Sequence, residues 1–357
     1  MGLRPWDEVA YLPILCMRPG EMRALEELPD HTKNAMLPLM PLRPWVGSNY
    51  LQSSIDRITR SYGDRPVIVS VGDREPAKDR PVFAELDRLR DPHAGFANWC
   101  DLIEEKEGNF IPVAQIGIDA RQEAEQIRRL HSIGNGLVIH LSEEVFGSLA
   151  SVAVSLATLT EGGQDVCIVL DYGAARADHL EKAARTVGYI NTLRSRLPQA
   201  HVAVSASSFP SSFSNLPEQE IYERRLFNSV TGELGSPGLI YSDRGSARAE
   251  PLGGGGAAEI PARIDYPRFD EWTFFRAEHG GFTNYVDQAQ RLMGSDAWNG
   301  GLRVWGTQMI ERTARGDRSA IDNPQKATAA RINLHLQLQT FYDEPDEVED
   351  TEDDWED

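Results

Sequence analysis

An α/β fold of the (β/α)8 TIM-like barrel type, with a C-terminal extension and a disordered acidic tail, is what this 357-residue sequence predicts. Three observations point there. Eight short runs rich in aliphatic and β-branched residues recur along the chain, and the stretches between them carry helical periodicity. The turn after the first run, Met17-Arg18-Pro19-Gly20-Glu21, also lacks the GxGxxG pattern that a nucleotide-binding open sheet would bring.

The runs start near Tyr11 (YLPILC), Met36 (MLPLMPL), Pro66 (PVIVSV), Phe110 (FIPVAQIG), Gly136 (GLVIHLS), Asp165 (DVCIVLD), His201 (HVAVSA) and Gly238 (GLIYSD). Successive starts lie 25 to 44 residues apart, which is room for a helix and two loops. Strands this continuously apolar are buried on both faces, as in a parallel sheet covered by helices. Between the fourth and fifth runs, Ala120, Ala124, Ile127 and Leu130 fall at helical spacing with charge between them. Asp119 stands in front as an N-cap and Gly134 closes the far end. The stretch 178–197 has the same character. With eight such units, closure into one barrel spanning 9–342 is the economical arrangement.

After the eighth run the pattern changes, and about 248–316 has the character of an insertion. Gly253 to Gly256 form a loop, and Arg263 to Tyr266 and Glu271 to Arg276 alternate like a two-stranded addition. A helix from Phe282 to Met293, a segment from Leu302 to Ile310 and a final helix from about Gln325 to Tyr342 complete it. The insertion is expected to cap the barrel or to form a lid over it.

The formal charge of −19 is uneven, because Asp343 to Asp357 hold eleven acids and no base. Removing those charges leaves −8 for the rest. Such a body has no general attraction for phosphate backbones, so coating by nucleic acid is disfavoured while a local basic pocket stays open. The segment 343–357 is expected to be a solvated tail, or more sharply a docking peptide for a basic partner with Trp355 as anchor. No apolar run approaches the roughly 20 residues needed to cross a bilayer. The start lacks the basic and apolar regions of an export signal, so a cytoplasmic chain without membrane contact is expected. Cys16, Cys100 and Cys167 show neither CxxC spacing nor paired histidines, and are expected to be free thiols rather than disulfides or zinc ligands.

In a barrel, residues at the C-terminal ends of the strands gather at one mouth. The ligand-binding candidates there are Arg18, Glu21, Asp73, Arg74, Ser207, Tyr241 and Arg244, with Arg43, Gln115, Asp119, Glu143, Tyr172 and Ser205 nearby. His140 and Asp171, on adjacent strands, are placed to act as a general acid and base, and Asp243 is the third catalytic candidate. Asp171 and Asp243 are also the candidate ligands of a hard divalent ion, Mg²⁺ or Mn²⁺, with the arginines clamping a phosphate. The blander alternative is that these Asp residues start turns and cap helices, and that His140 is a rim residue satisfied by a neighbour. No HExxH, GxSxG or P-loop signature appears, and whether the chain is an enzyme stays open.

Several short motifs carry a resemblance. They are Tyr11-Leu12-Pro13-Ile14-Leu15 with Arg18-Pro19-Gly20-Glu21 and Ala24-Leu25, Ser207-Ser208-Phe209-Pro210, Tyr241-Ser242-Asp243-Arg244-Gly245-Ser246, Trp305-Gly306 and His335-Leu336. Over roughly 9–340 the chain resembles the beta protein family, named after a T-even phage protein. Arg244 stands where the family usually has an aromatic, and His140 where a basic residue is common. The resemblance implies phage and bacterial genomes, a neighbouring gene for a nuclease-like or toxin-like protein partner, and a role in phage–host conflict, as anti-phage defence or phage accessory. The reading that follows is a protein of that kind binding an anionic or nucleotide-like ligand, or a partner protein, at the barrel mouth. The alternatives are a metal-dependent phosphodiesterase or nuclease-type hydrolase, and a non-catalytic scaffold whose acidic tail occupies a nucleic-acid-binding partner.

Overall fold

The computed structural model describes residues 5–75, 79–106, 108–249 and 260–349. All eight runs are strands: β1 (Tyr11–Pro13), β2 (Leu39–Leu42), β3 (Val67–Val71), β4 (Phe110–Pro112), β5 (Leu137–Ser142), β6 (Val166–Ala174), β7 (His201–Ser207) and, beyond a short β8 (Glu218–Glu220), β9 (Leu239–Asp243). Their ladders form two parallel sheets, β5-β6-β7-β9-β1 and β2-β3-β4. Laddered pairing is thus interrupted at two places, where the sequence predicts one closed ring. Between the sheets the pairing narrows to isolated bridges, Tyr11↔Met36 and Ile14↔Leu39 on one side and Val113↔Val138 on the other. The physical reason lies in the prolines at these seams. Pro13, Pro38, Pro41 and Pro112 each remove a backbone N–H that a ladder needs. Backbone bonds persist across both seams, from Leu15 N–H to the Leu39 carbonyl and from Leu37 N–H to the Tyr11 carbonyl on one side, and from Ala114 N–H to the Val138 carbonyl on the other, each 2.9 Å.

Side-chain alternation sorts every strand into two faces. Leu12, Ile68, Ile111, Val138, Cys167, Val169, Ala203 and Ile240 pack with one another in a cluster made mainly of strand residues. Their neighbours Tyr11, Val67, Phe110, Ile139, Ile168, Val204 and Tyr241 point the other way, into the larger core shared with the helices. The helix Ala120–Ile133 starts and stops as its sequence predicts: the Asp119 side chain accepts from the N–H groups of Arg121 and Gln122, and Gly134 ends it at φ 81°.

The insertion contains the predicted antiparallel pair, β10 (Arg263–Pro267) and β11 (Glu271–Arg276). A third strand, β8, joins the free edge of β11. Sequence reading missed it because Glu218-Gln219-Glu220 has no hydrophobic pattern to read. With the helices Phe282–Met293 and Trp305–Ala314, this sheet encloses an apolar cluster of its own. The final helix, Pro324–Thr340, is shared between the two cores, and every residue from Ala329 to Thr340 is buried. A helix buried all round must satisfy its polar side chains internally. Arg331 bonds to Asp265, Asn333 to the Ala24 carbonyl, His335 to Asp243 and Gln339 to the Phe269 carbonyl. Helix approach is close at Gly306, where an added Cβ would lie 2.7 Å from the Ala330 carbonyl oxygen.

The expectation of a disordered tail is corrected for 343–349. Val348 is 3% exposed within the insertion's cluster. Its carbonyl accepts from Gln337 Nε2 at 3.0 Å, and Glu349 accepts from Asn299 Nδ2 at 3.0 Å. Residues 350–357, including Trp355, and the glycines 253–256 lie outside the described residues. Deleting 344–357 is expected to cost about 2 kcal/mol of stability, the worth of one fully buried valine. An unchanged denaturation midpoint would show that Val348 contributes nothing. Among the described residues, no helix is long and apolar enough to cross a membrane, and Cys16, Cys100 and Cys167 are free thiols.

Candidate functional site

Following the mainly strand-built face toward the C-terminal ends of the strands, the side chains change from apolar to polar. Val138 is followed two residues on by His140, Val169 by Asp171, Ala203 by Ser205, and Ile240 by Ser242 and then Arg244. Asp171, Ser205 and Ser242 are register partners across β6, β7 and β9, so they form one polar row over the apolar floor. Asp171 is the anchor of the row. Its Oδ2 accepts from His140 Nε2 at 2.8 Å and from Arg244, and its Oδ1 accepts from the Gly173 N–H at 2.9 Å. Burial alone would raise this carboxyl, but the His140 hydrogen bond and the Arg244 charge outweigh it and hold Asp171 below the usual carboxylate value.

The row is also incomplete. The Ser205 and Ser242 hydroxyls and Arg244 Nε are buried and have no hydrogen-bond partner among the described residues. Buried polar atoms in folded proteins are nearly always paired, so three open positions around one carboxylate mark a place where something else can bond. Cys16 stands at the edge of this group, two residues beyond Ile14. Burial pushes its thiol up, and the Glu21 charge adds to that against Arg18, Arg43 and Arg244.

The other predicted residues divide. Glu21 is 3% exposed and bonds only to the Arg18 N–H, at 3.3 Å. Burial raises it to about 7 although Arg18 opposes the shift. Arg18 and Glu21 line a cleft of about 350 Å³ beside the polar row. Arg43 is held by Glu75. Asp73 and Arg74 lie on a separate part of the rim, where Arg74 is 71% exposed and pairs with Asp87 at 3.1 Å. The Ser207 hydroxyl donates to the Ala247 carbonyl at 2.6 Å, which fixes the loop after β9.

Tyr241 and Asp243 are corrected. Alternation turns both away from Ser242 and Arg244, into the layer beneath the helix Pro324–Thr340. There Tyr241 stacks on Tyr11 at 5.6 Å, with the Arg224 guanidinium 3.3 Å from its ring centre. Asp243 is 1% exposed and accepts from Tyr11, Tyr241 (2.9 Å), the Gly245 N–H (2.7 Å) and His335 (2.7 Å). Burial would raise it, but His335 and these donors hold it below the ordinary value. Asp171 and Asp243 therefore face opposite sides of the sheet and cannot share an ion. Among the described residues, no group of three or more His, Cys, Asp or Glu side chains is placed to hold a metal ion. Sequence reading also missed Arg248, Arg263 and Arg331, which complete the cleft beside Arg18.

The chain has known relatives. The family model described as Beta protein matches residues 11–341. "Protein beta" of Enterobacteria phage P4 is 28% identical over 347 residues, covering 94% of this chain and 94% of the phage protein.

Proposed function

The chain belongs to the Beta protein family, and from that premise we propose that it is a phage–host conflict protein that binds a small anionic, nucleotide-like ligand at the C-terminal strand ends. The conflict role is supported by the phage relative, which matches almost end to end. The reading includes closure of all eight parallel strands into one barrel, supported by the bridges at both seams. The observation that carries the ligand is the polar row Asp171-Ser205-Ser242 with its unpaired hydroxyls and the unpaired Arg244 Nε. Arg244 is the cation that meets the anion, and Asp171 with His140 orients it. The two serine hydroxyls supply neutral hydrogen bonds beside the charge.

The serines give a clean test. Ser205→Ala and Ser242→Ala remove hydroxyls that bond to no other protein group, so each is expected to leave stability unchanged or slightly raised. Each is also expected to weaken binding of the best ligand from a panel of nucleoside mono-, di- and triphosphates, measured by calorimetry, by about tenfold. Arg244→Ala is expected to weaken it by about ten- to a hundredfold, the loss of a charge-assisted hydrogen bond. No binding from the panel, or equal binding by all three variants, would sink the reading.

A further inference from the structure

We propose that the cleft between the insertion and the loops after β1, β7 and β9 is a phosphate-binding site, built by Arg18, Arg248, Arg263 and Arg331. This goes beyond the polar row and stands whether or not that row binds an anion. The cleft holds about 350 Å³ and opens into a second lobe of about 280 Å³ that shares Arg263, Pro324 and Thr328 with it. The larger lobe lies within the size range of small-molecule sites, about 300–1,000 Å³.

The charge balance of the cleft is what needs a ligand. Five guanidiniums line the two lobes, Arg276 of the adjoining lobe being the fifth, against two carboxylates, Glu21 and the Asp265 of that lobe. Asp265 is engaged by Arg331 at 2.7 Å and by Arg263. Glu21, raised to about 7, is largely protonated on the acid side of neutrality and offers little compensation. Arg331 is 5% exposed, and its Nε has no partner among the described residues. Among the described residues, Arg248 bonds only to the carbonyls of Pro210 and Ser211, and both burial and the Arg263 charge disfavour its protonated form.

Three of these arginines are also held as planar plates. Arg263 lies 3.4 Å and Arg248 5.6 Å from the Phe213 ring centre, and Arg331 lies 4.0 Å from that of Phe209. Stacking orients a guanidinium without neutralising it, and the N–H groups not already engaged, Arg331 Nε among them, are available to phosphate oxygens. A chain with a formal charge of −19 that concentrates stacked, under-compensated arginines in one cleft has built a local positive field there. A phosphate or pyrophosphate group supplies the missing negative charge and the acceptor for Arg331 Nε.

The test uses the full chain and pyrophosphate as probe, with sulfate as the control for unspecific ion effects. Pyrophosphate is expected to bind measurably by calorimetry at low salt, well ahead of sulfate. Arg248→Ala and Arg18→Ala are each expected to weaken it about ten- to a hundredfold. Arg18 is exposed at the rim, so its removal leaves the fold intact even if Arg248→Ala does not fold. Absence of pyrophosphate binding, binding no stronger than that of sulfate, or full binding by both variants would overturn the proposal. So would loss of pyrophosphate binding in Arg244→Ala with retention in Arg18→Ala and Arg248→Ala, because that pattern would place the anion on the polar row instead.

Discussion

Asp243→Ala is expected to destabilise the protein by about 3–5 kcal/mol, the range for removing one partner from a buried charged network. Asp243 is the acceptor at the centre of a group with no solvent. Tyr11 and Tyr241 donate their hydroxyls to it, His335 its ring N–H and Gly245 its backbone N–H. All four donors would be stranded together, and they come from three segments of the chain: β1, β9 with the turn that follows it, and the final helix. His335 ties the final helix to β9, and Tyr11 ties β1 to β9, beside the ladder they share. Gly245 cannot relax easily, because it sits at φ +58° and a Cβ there would lie 2.7 Å from Leu15 Cδ2. Asp243→Asn keeps one acceptor oxygen and is expected to cost less than the alanine variant. Urea denaturation measures both. A loss under about 1 kcal/mol for Asp243→Ala would show that water replaces the carboxylate, and that the network does not hold the helix.

The same residue marks the limit of what the sequence discloses. Eight aliphatic runs at regular spacing made the strands legible, because a buried parallel strand is apolar on both faces. That continuity also conceals which face each residue takes. At the end of β9, Tyr241-Ser242-Asp243-Arg244 is polar at every position, so the period of two that separates inward from outward cannot be read from it. All four fall together at one strand end in sequence, yet the fold sends Ser242 and Arg244 to the polar row and Tyr241 and Asp243 to the helix layer. The facing of Ser242 follows from Ile240, once Ile240 is known to pack with Ala203 and Val169. Arg331 carried no signal at all. Its helix is apolar and polar by turns on every side, a pattern that has meaning only when two separate cores grip it. The acidic run after Asp343 misled in the opposite direction, because a single Val348 among carboxylates suffices to seat 343–349.

Glu223→Gln is expected to raise stability at alkaline pH by about 3–4 kcal/mol and to change little at pH 5, the converted effect of a carboxyl raised from 4.5 to about 7. Glu223 is 4% exposed, and its Oε2 accepts from the Ser208 N–H at 3.0 Å and from the Ser208 hydroxyl. Burial, with the Asp243 charge added, raises it from 4.5 to about 7. Between those two values the folded chain keeps a proton that the unfolded chain has released. The stability this group contributes is therefore fully present below about 4.5 and is lost as the pH rises through about 7. Glu21, also raised to about 7, has the same sign over the same window. His179 opposes both: burial lowers it to about 4, so its contribution grows as the pH rises from there toward 6.5. Asp171 and Asp243, held below their ordinary value, act only at still lower pH, where protonation removes what they contribute. The wild-type profile mixes all of these, which is why the difference between wild type and Glu223→Gln is the informative quantity. Glutamine keeps an acceptor for Ser208 and cannot ionise beside Asp243. Its advantage over wild type should thus open progressively between pH 5 and 8 in denaturation curves taken at matched salt. A difference that stays flat across that range would mean that Glu223 ionises as an ordinary carboxyl and that Ser208 alone accounts for its burial.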